Sequence, residues 1–283
     1  MRIKKTVTIG TVGAGYPAYL HGNGLEKVGG VDVRLKTICD TNLELAQKVM
    51  DRYGYEQMTA NFDELLADPE IDVIDIITPP FLHVPMAIKA MRAGKHVICE
   101  KPLTGYFGKP SEENVGATPK SVYGNFMRVY HDTDGEDHSV TQLEFDLNGK
   151  TVLCIGEDSW VKQGGMQDCI EVYGEKGVCY SDLFQGNSSQ MYSLEGYDYA
   201  SEKAGATNGW TFPIFEEAFN QGYPQELTHF VDCVRNGKKP VSDGKLGKAV
   251  LEVIHAAYVS AKEGRKVALP YKSDAAKPVD NWR

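Results

Sequence analysis

The first hundred residues alternate between short apolar runs and segments with helical periodicity. Apolar runs with few polar residues indicate strands buried on both faces, whereas apolar residues spaced three and four apart indicate helices packed on a core. A strict alternation of the two patterns predicts a parallel, doubly wound α/β sheet. The predicted strands are 7–12, 33–39, 73–77 and 96–99, and the predicted helices are 17–28, 42–53, 63–67 and 84–93.

The pattern changes after residue 102, where the chain becomes rich in Gly, Pro, Ser and acidic residues. Residues 141–147 then alternate between polar and apolar positions, and Asn148-Gly149 predicts a hairpin turn into a return strand at 151–156. We therefore predict a C-terminal α+β domain with an open, mainly antiparallel sheet, and place the two domains at 1–122 and 123–283. Its other predicted elements are strands at 169–174, 177–180 and 267–269 and helices at 225–235 and 243–262.

Composition and charge narrow the class of protein. With 283 residues, 42% of them hydrophobic and 24% charged, the chain is long enough for two globular domains. The net charge of −9 argues against a nucleic-acid partner, and the absence of a stretch of about 20 apolar residues argues against a membrane span. The six cysteines have neither a zinc nor a redox spacing, so we predict no metal site and a cytoplasmic location.

A glycine-rich turn follows the first predicted strand and opens the first predicted helix. In the G-x-G-x-x-G/A pattern the first glycine makes a tight turn, the second lets backbone approach a pyrophosphate, and a small last residue allows close helix packing. The alternative is an ordinary glycine turn beside a helix-capping aspartate. The order of strand, turn, helix and acidic residue favours a dinucleotide site. The residues that fit the pattern are Gly13, Ala14, Gly15, Tyr16, Pro17 and Ala18.

The choice of cofactor depends on Asp40, which ends the second predicted strand. At this position a carboxylate accepts hydrogen bonds from the adenosine ribose. It also repels the 2′-phosphate of NADP, and Thr41 and Asn42 bring no cation to bind one. The sequence thus predicts NAD, with NADP disfavoured, and places Asp40 and Thr41 among the residues that bind the cofactor.

The third long apolar run ends in Thr78, Pro79 and Pro80, at the carboxyl edge where sheets of this kind bind ligands. Two prolines cannot continue a strand ladder, so the chain must turn there. His83 follows at the start of a helix. It is either a residue beside the cofactor or a polar surface or capping histidine, and position alone leaves both interpretations open.

A lysine motif, Glu100-Lys101-Pro102, follows the fourth predicted strand at the same edge. Lys101 could donate a proton to, or stabilise, a substrate alkoxide, with Glu100 as an ion-pair or orienting partner. The alternative is an exposed loop lysine, which describes most lysines.

A wider set of motifs supports one family, densely over the first 102 residues and more loosely over 140–270. The set comprises His21, Leu65-Leu66-Ala67-Asp68, Thr78-Pro79-Pro80, His83, Ala93-Gly94-Lys95-His96-Val97, Glu100-Lys101-Pro102, Ile170-Glu171-Val172-Tyr173-Gly174, Glu226, Pro240, Ala256-Ala257, Ser260 and Gly264. Together these residues resemble the Gfo/Idh/MocA family, which includes glucose–fructose oxidoreductase and inositol dehydrogenase. The resemblance implies a Rossmann domain, a C-terminal α+β domain, and NAD(P)-dependent dehydrogenase or reductase chemistry on CH–OH groups. It makes Lys101 the active-site lysine and puts His83 near the nicotinamide.

Three functions stay open at this point. We favour an NAD-dependent oxidoreductase that exchanges hydride with a sugar, polyol or related small hydroxy or carbonyl compound. The family also includes NAD-dependent glycoside-cleaving enzymes, and a cofactor-binding regulator without turnover is the third function. Retention of Glu100-Lys101-Pro102 favours catalysis.

The chain departs from the family after this lysine motif. Family members continue with a helix, a strand and a crossing segment, in which a Gly-Gly-Gly run precedes Asp and His residues of the acid/base site. The stretch from Pro102 to Val140 is too short for these parts, and we expect the break near 116–123. Either the 283-residue sequence omits residues of the complete protein, or the deletion is genuine. We favour an omission, because the sixth strand of the Rossmann sheet has no candidate.

An open antiparallel sheet leaves an apolar face to be covered. Leu143, Phe145 and Leu147 share one face, with Val152 and Cys154 on the neighbouring predicted strand. We therefore predict a homodimer or homotetramer assembled through this sheet.

Overall fold

The computed structural model describes residues 6–101, 117–163, 167–174, 177–184, 191–195, 208–211 and 221–282. In chain order the strands are β1 Thr6–Val12, β2 Asp32–Cys39, β3 Gln57–Thr59, β4 Val73–Ile76, β5 His96–Cys99, β6 Ala117–Met127, β7 His138–Leu147, β8 Lys150–Ser159, β9 Cys169–Gly174, β10 Gly177–Asp182, β11 Met191–Ser193, β12 Gly209–Thr211 and β13 Val267–Ala268. The helices are α1 Tyr16–Leu25, α2 Leu43–Tyr53, α3 Phe62–Ala67, α4 Pro80–Arg92, α5 Tyr223–Asn236 and α6 Gly244–Glu263, followed by a 3-10 helix at Pro278–Asn281. None of the described helices is both long and apolar enough to cross a membrane.

The predicted parallel sheet is confirmed. Its five strands lie in the order β3-β2-β1-β4-β5, and β1 pairs in parallel with both β2 and β4. The strand order reverses between β1 and β4, which is the point where doubly wound sheets form a ligand crevice. The loop that leaves the end of β1 at Val12 is therefore flanked by the ends of two other strands.

Side-chain caps set the starts of two of these helices. Asn42 accepts hydrogen bonds from the N–H groups of Glu44 and Leu45 at the start of α2, and Asn61 accepts from Asp63 at the start of α3. The helix α4 begins at Pro80 rather than near residue 84, because proline is well suited to the first turn, where no N–H donor is needed.

Lys95 ties the loop after α3 to the chain that leads into β5. Its Nζ donates to the carbonyl oxygens of Asp68, at 2.5 Å, and Ile71, at 2.8 Å. We expect Lys95→Met to lower the free energy of unfolding by about 1.5–3 kcal/mol, the usual loss when a charged donor is removed. Lys89→Met is the matched control, since Lys89 makes an exposed ion pair with Asp63 that should contribute about 0–1 kcal/mol. Urea unfolding measures the free energy of unfolding of both variants. Equal losses would contradict the conclusion that Lys95 stabilises the fold more than an exposed ion pair does.

A second, four-stranded sheet has the order β13-β6-β7-β8, and its strand pairs are antiparallel. The predicted hairpin turn is present, with φ of 52° at Asn148 and 81° at Gly149. The stretch 117–123, where a break was predicted, lies within β6, which pairs with β7 from Ala117 to Met127 with a register shift after Pro119. The preceding residues, 102–116, lie outside the described part of the chain.

The helix α6 packs closely against β6. The N–H of Gly124 donates to Ser260 Oγ at 2.9 Å, and a Cβ at Gly124 would lie 2.6 Å from the carbonyl oxygen of Ala257. Leu143 of β7 packs against the buried cluster that contains Val122 and Ala257. The face of Leu143 is therefore already covered by a helix, which corrects the expectation that this face is open. Within this sheet the most exposed large apolar residues, Leu153 and Ile155, lie on β8 instead.

The chain divides into two compact units that interleave along the sequence. In the first unit, Leu227 and Val231 of α5 share a buried cluster with Val7 and Ile9 of β1. Sequence order alone had placed this helix in the C-terminal domain. The predicted domain boundary between residues 122 and 123 falls inside β6. The division into domains at 1–122 and 123–283 stays a prediction. The units are Met1–Thr78, Lys89–Ile98 and Gln163–Lys238 for the first, and Pro79–Ile88, Cys99–Lys162 and Lys239–Arg283 for the second.

Candidate functional site

The turn after β1 is shaped by a close approach of backbone to backbone. Gly13 has a φ of +107°, and a Cβ at this position would lie 2.7 Å from the carbonyl oxygen of Ile77. The N–H of Gly13 donates to Cys39 O at 2.8 Å, which fixes the turn against the end of β2. Only glycine combines this backbone conformation with this lack of space.

The carboxylate of Asp40 lies beside the same turn. Its Oδ2 accepts a hydrogen bond from the N–H of Ala14 at 2.7 Å, and its Oδ1 accepts from the N–H of Asn42 at 2.8 Å. Each carboxylate oxygen has a second lone pair. The half-exposed Asp40 can therefore also accept hydrogen bonds from the hydroxyl groups of a ribose.

The space above the turn is left open by the described residues. A Cβ at the exposed Gly15 would meet only Pro17 Cδ, at 3.8 Å. No side chain caps the start of α1, and Tyr16 at its first position is 51% exposed. The backbone amides at a helix N-terminus and the positive end of the helix dipole suit a pyrophosphate. The glycine turn thus fits the pyrophosphate of NAD, and the neighbouring carboxylate of Asp40 fits the adenosine ribose.

The thiol beside Asp40 does not add a second negative charge. Burial raises the pKa of Cys39 to about 11, with smaller contributions from the charges of Asp40 and Glu64. The thiol is therefore neutral at physiological pH, and the charge at this corner comes from the carboxylate of Asp40.

The chain leaves β4 through the predicted proline turn. Thr78 is half-buried, Pro79 is exposed, and Pro79 O accepts a hydrogen bond from the N–H of Leu82 at 3.0 Å in the first turn of α4. His83 lies in this turn with only 1% of its surface exposed. The interpretation of His83 as a surface histidine is therefore wrong.

Lys101 is exposed and stands shortly after the end of β5. Its backbone N–H donates to Glu100 Oε2 at 3.0 Å. The side chain of Glu100 thus contacts the backbone of Lys101. Its role toward the ammonium group of the lysine stays a prediction. Pro102 lies outside the described residues.

The expectation that the shortened segment contains no Asp-x-x-x-His spacing is wrong, because Asp134 and His138 have this spacing. In the structure, Asp134 contributes its carbonyl oxygen to Arg128 at 3.1 Å. His138 opens β7, with its Nε2 3.7 Å from Glu157 Oε1. These contacts do not pair the two residues as an acid and a base.

Sequence reasoning also missed a buried pair beneath the glycine turn. His21 Nδ1 lies 3.1 Å and 3.0 Å from the two carboxylate oxygens of Asp75. Asp75 is fully buried in β4, and His21 is 5% exposed. The signal that could have found the pair is a carboxylate in the middle of a buried apolar strand, since such a group requires a partner.

Comparison with known proteins matches both parts of the chain to one family. A family model described as "Oxidoreductase family, NAD-binding Rossmann fold" matches residues 7–112. A second, described as "Oxidoreductase family, C-terminal alpha/beta domain", matches residues 94–269.

Two curated relatives match over very different lengths. The scyllo-inositol 2-dehydrogenase (NAD(+)) of Bacillus subtilis is 26% identical over 334 aligned positions, which cover 94% of this chain and 97% of that enzyme. Because these positions outnumber the 283 residues of the chain, a stretch of the relative has no counterpart here. The levoglucosan dehydrogenase of Pseudarthrobacter phenanthrenivorans is 48% identical over 68 residues, which cover 24% of this chain and 17% of that enzyme.

A solved structure shares the fold over almost the whole chain. The structure of GenD2 from gentamicin A biosynthesis, in complex with NAD, aligns with a TM-score of 0.78 and 22% identity, and covers 95% of this chain and 98% of GenD2. Since the two family models together span residues 7–269, this chain belongs to the Gfo/Idh/MocA family of oxidoreductases and has its NAD-binding Rossmann fold, as predicted from the sequence.

Proposed function

We propose that this protein is an NAD-dependent dehydrogenase acting on a sugar, polyol or related small molecule. The observation that carries the proposal is the hydrogen bond from the N–H of Ala14 to Asp40, which joins the glycine turn to a ribose-binding carboxylate. The relatives named scyllo-inositol 2-dehydrogenase and levoglucosan dehydrogenase support this class of substrate.

The proposed cofactor site is built from the ends of the parallel strands. The glycine turn would bind the pyrophosphate through backbone N–H groups, and Asp40 would bind the adenosine ribose. When bound, NAD supplies a hydride acceptor for the substrate carbon. The full set of proposed cofactor residues is Gly13, Ala14, Gly15, Tyr16, Pro17, Asp40, Thr41, Thr78, Pro79, Pro80, His83, Glu100 and Lys101.

Lys101 is the residue proposed to act on the substrate oxygen. Its exposed ammonium group can hold a hydroxyl or carbonyl oxygen by a hydrogen bond, stabilise negative charge on that oxygen, and exchange a proton with it. We propose His83 as a second catalytic residue, on its position in the first turn of α4, directly after the proline turn. Glu100 fixes the backbone of Lys101 during these steps.

A panel of inositols, hexoses and amino sugars tests the function. Each compound is incubated with NAD and the protein, and reduced nicotinamide is followed by its absorbance. We expect at least one polyol or sugar to reduce NAD, and no reduction with the matched variant Gly13→Val, whose side chain would collide with Ile77. Failure of the whole panel, with NADH binding intact, would contradict a dehydrogenase.

A regulator without turnover is the second candidate. From the sequence we expect the shortening to lie after Pro102, where the family carries its acid/base residues, and a chain without those residues would bind the cofactor without turnover. The intact mass of the purified protein decides whether the 283-residue chain is complete. A matching mass, together with NADH binding and no turnover, would establish the regulator. No contact among the described residues favours the glycoside-cleaving alternative.

We also propose that the protein assembles as a homodimer or homotetramer through β8. This strand lies at the edge of its sheet, and Leu153 and Ile155 on one of its faces are 54% and 68% exposed. An exposed apolar edge strand is a surface that proteins usually cover.

The assembly is tested by light scattering at micromolar concentration. We expect the wild type to be a dimer or tetramer, and the double variant Leu153→Lys/Ile155→Lys to be a monomer, because the charges make burial of this face unfavourable. Val241→Lys, at an exposed apolar residue outside the strands of the sheet, should leave the mass unchanged. A monomeric wild type would refute the proposal.

The cytoplasmic location likewise remains our proposal. All six cysteines are free thiols in the structure. Such usage is typical of a reducing compartment.

A further inference from the structure

A buried polar cluster lies next to the glycine turn and consists of Thr11, His21, Tyr55 and Asp75. Asp75 of β4 is the direct neighbour of Thr11 on β1, and both side chains are at most 1% exposed. Thr11 Oγ1 lies 2.8 Å from the hydroxyl of Tyr55. The interior of a parallel sheet is normally apolar, so a carboxylate at this depth needs a specific partner.

That partner is the imidazole of His21, from the middle of α1. Both carboxylate oxygens of Asp75 are within hydrogen-bond distance of Nδ1, so Nδ1 carries the proton and donates to the carboxylate. The ring of Tyr223 from α5 packs against the imidazole with 6.0 Å between ring centroids. The pair therefore links α1 directly to β4.

The bond between His21 and Asp75 is connected to the glycine turn through the end of β4 and the residue that follows it, Ile77. The N–H of Ile77, just beyond Asp75, donates to Val12 O at 3.0 Å. The carbonyl oxygen of Ile77 is the group that leaves no space for a side chain at Gly13. A shift of α1 relative to β4 would therefore move the start of α1 and the glycine turn relative to each other.

We infer that His21 is a positioning residue for NAD binding: its bond to Asp75 fixes the start of α1 over the glycine turn, so that both bind the pyrophosphate together. The inference rests on the proposed dinucleotide site. In a purely structural role, the hydrogen bond between His21 and Asp75 would contribute only to the stability of the fold. Here we infer that the bond also raises the affinity for NAD.

A double variant separates the two roles. His21→Leu/Asp75→Val replaces the buried polar pair with apolar side chains, a change that commonly preserves or raises stability. We expect this variant to retain the thermal midpoint of the wild type while its Kd for NADH, measured by nicotinamide fluorescence, rises about tenfold or more. The variant His21→Asn, whose amide N–H takes the place of Nδ1, should restore the Kd to within about threefold of wild type.

Tyr53→Phe is the matched control. The hydroxyl of Tyr53 lies 3.0 Å from both Tyr19 O and Asn23 Oδ1, so its loss loosens α1 against α2 but leaves the link to β4 intact. We expect a lower thermal midpoint with a Kd for NADH within about twofold of wild type.

Two results would overturn the inference. A stable double variant that binds NADH as tightly as the wild type would show that the pair does not position the site. Equal weakening by Tyr53→Phe would show that any loosening of α1 suffices. A wild-type protein that does not bind NADH would overturn the proposed function and this inference together, whereas tight binding by every variant overturns the inference alone.

Discussion

Replacement of Lys101 by alanine is expected to remove most turnover while leaving NADH binding intact. The ammonium group is proposed to act on the substrate oxygen, and general acid–base groups typically contribute about 10²–10⁴-fold to the rate. We therefore expect kcat to fall within that range. The measurements are steady-state kinetics with the first active substrate of the panel and an NADH titration by fluorescence.

The control for Lys101→Ala is Lys150→Ala. Lys150 is an exposed lysine at the β7–β8 turn, so its loss changes the net charge equally. We expect near-normal kcat from this variant. A near-normal kcat for Lys101→Ala as well would mean that Lys101 is an ordinary loop lysine. A loss of NADH affinity as large as the loss of kcat would mean that Lys101 acts mainly through its proposed contact with the cofactor and not on the substrate oxygen.

The second large effect is expected at Asp40. The wild type should bind NADH about a hundredfold more tightly than NADPH. The carboxylate of Asp40 and the 2′-phosphate of NADPH are like charges, and like charges about 5 Å apart near a protein surface repel by about 3 kcal/mol. Asp40→Ala should weaken NADH binding and reduce this ratio, since it removes both the ribose acceptor and the repulsion. The double variant Asp40→Ser/Thr41→Arg should bring the ratio near one by supplying a cation for the 2′-phosphate.

Titrations of both cofactors against each variant measure these ratios. Asp32→Ala is the control, because Asp32 is an exposed carboxylate at the opposite end of the same strand. Its cofactor ratio should equal that of the wild type. Equal or tighter binding of NADPH by the wild type would contradict the role of Asp40.

The parallel sheet and its glycine turn were predictable because they depend on local pattern. The buried strand β1 has no charged residue and β4 is apolar except for Asp75, and the caps at Asn42 and Asn61 act within one helical turn. The distance between Ala14 and Asp40 follows from the parallel pairing of β1 and β2, which the alternation of strands and helices already implies. Periodicity is most informative where each contact is set by neighbours in sequence.

The features that sequence reasoning missed depend on contacts between distant segments. The helix α5 adds Leu227 to the core around β1, although some two hundred residues separate them. The start of β6 contains Pro119 between polar residues, a composition that does not predict a strand, although this stretch pairs with β7. The side of the antiparallel sheet that carries Leu143 is fixed by the packing of α6, which no period in β7 can reveal.

The most direct test of the central claim is the transfer of deuterium from the substrate carbon to the cofactor. A sugar or polyol that carries deuterium on its carbinol carbon is incubated with NAD and the protein, and the reduced cofactor is analysed by mass spectrometry. A dehydrogenase predicts that the reduced cofactor contains the deuterium and that wild type, but not Lys101→Ala, forms it at an appreciable rate. Reduced cofactor without deuterium, or no transfer from any compound of the panel, would contradict the account.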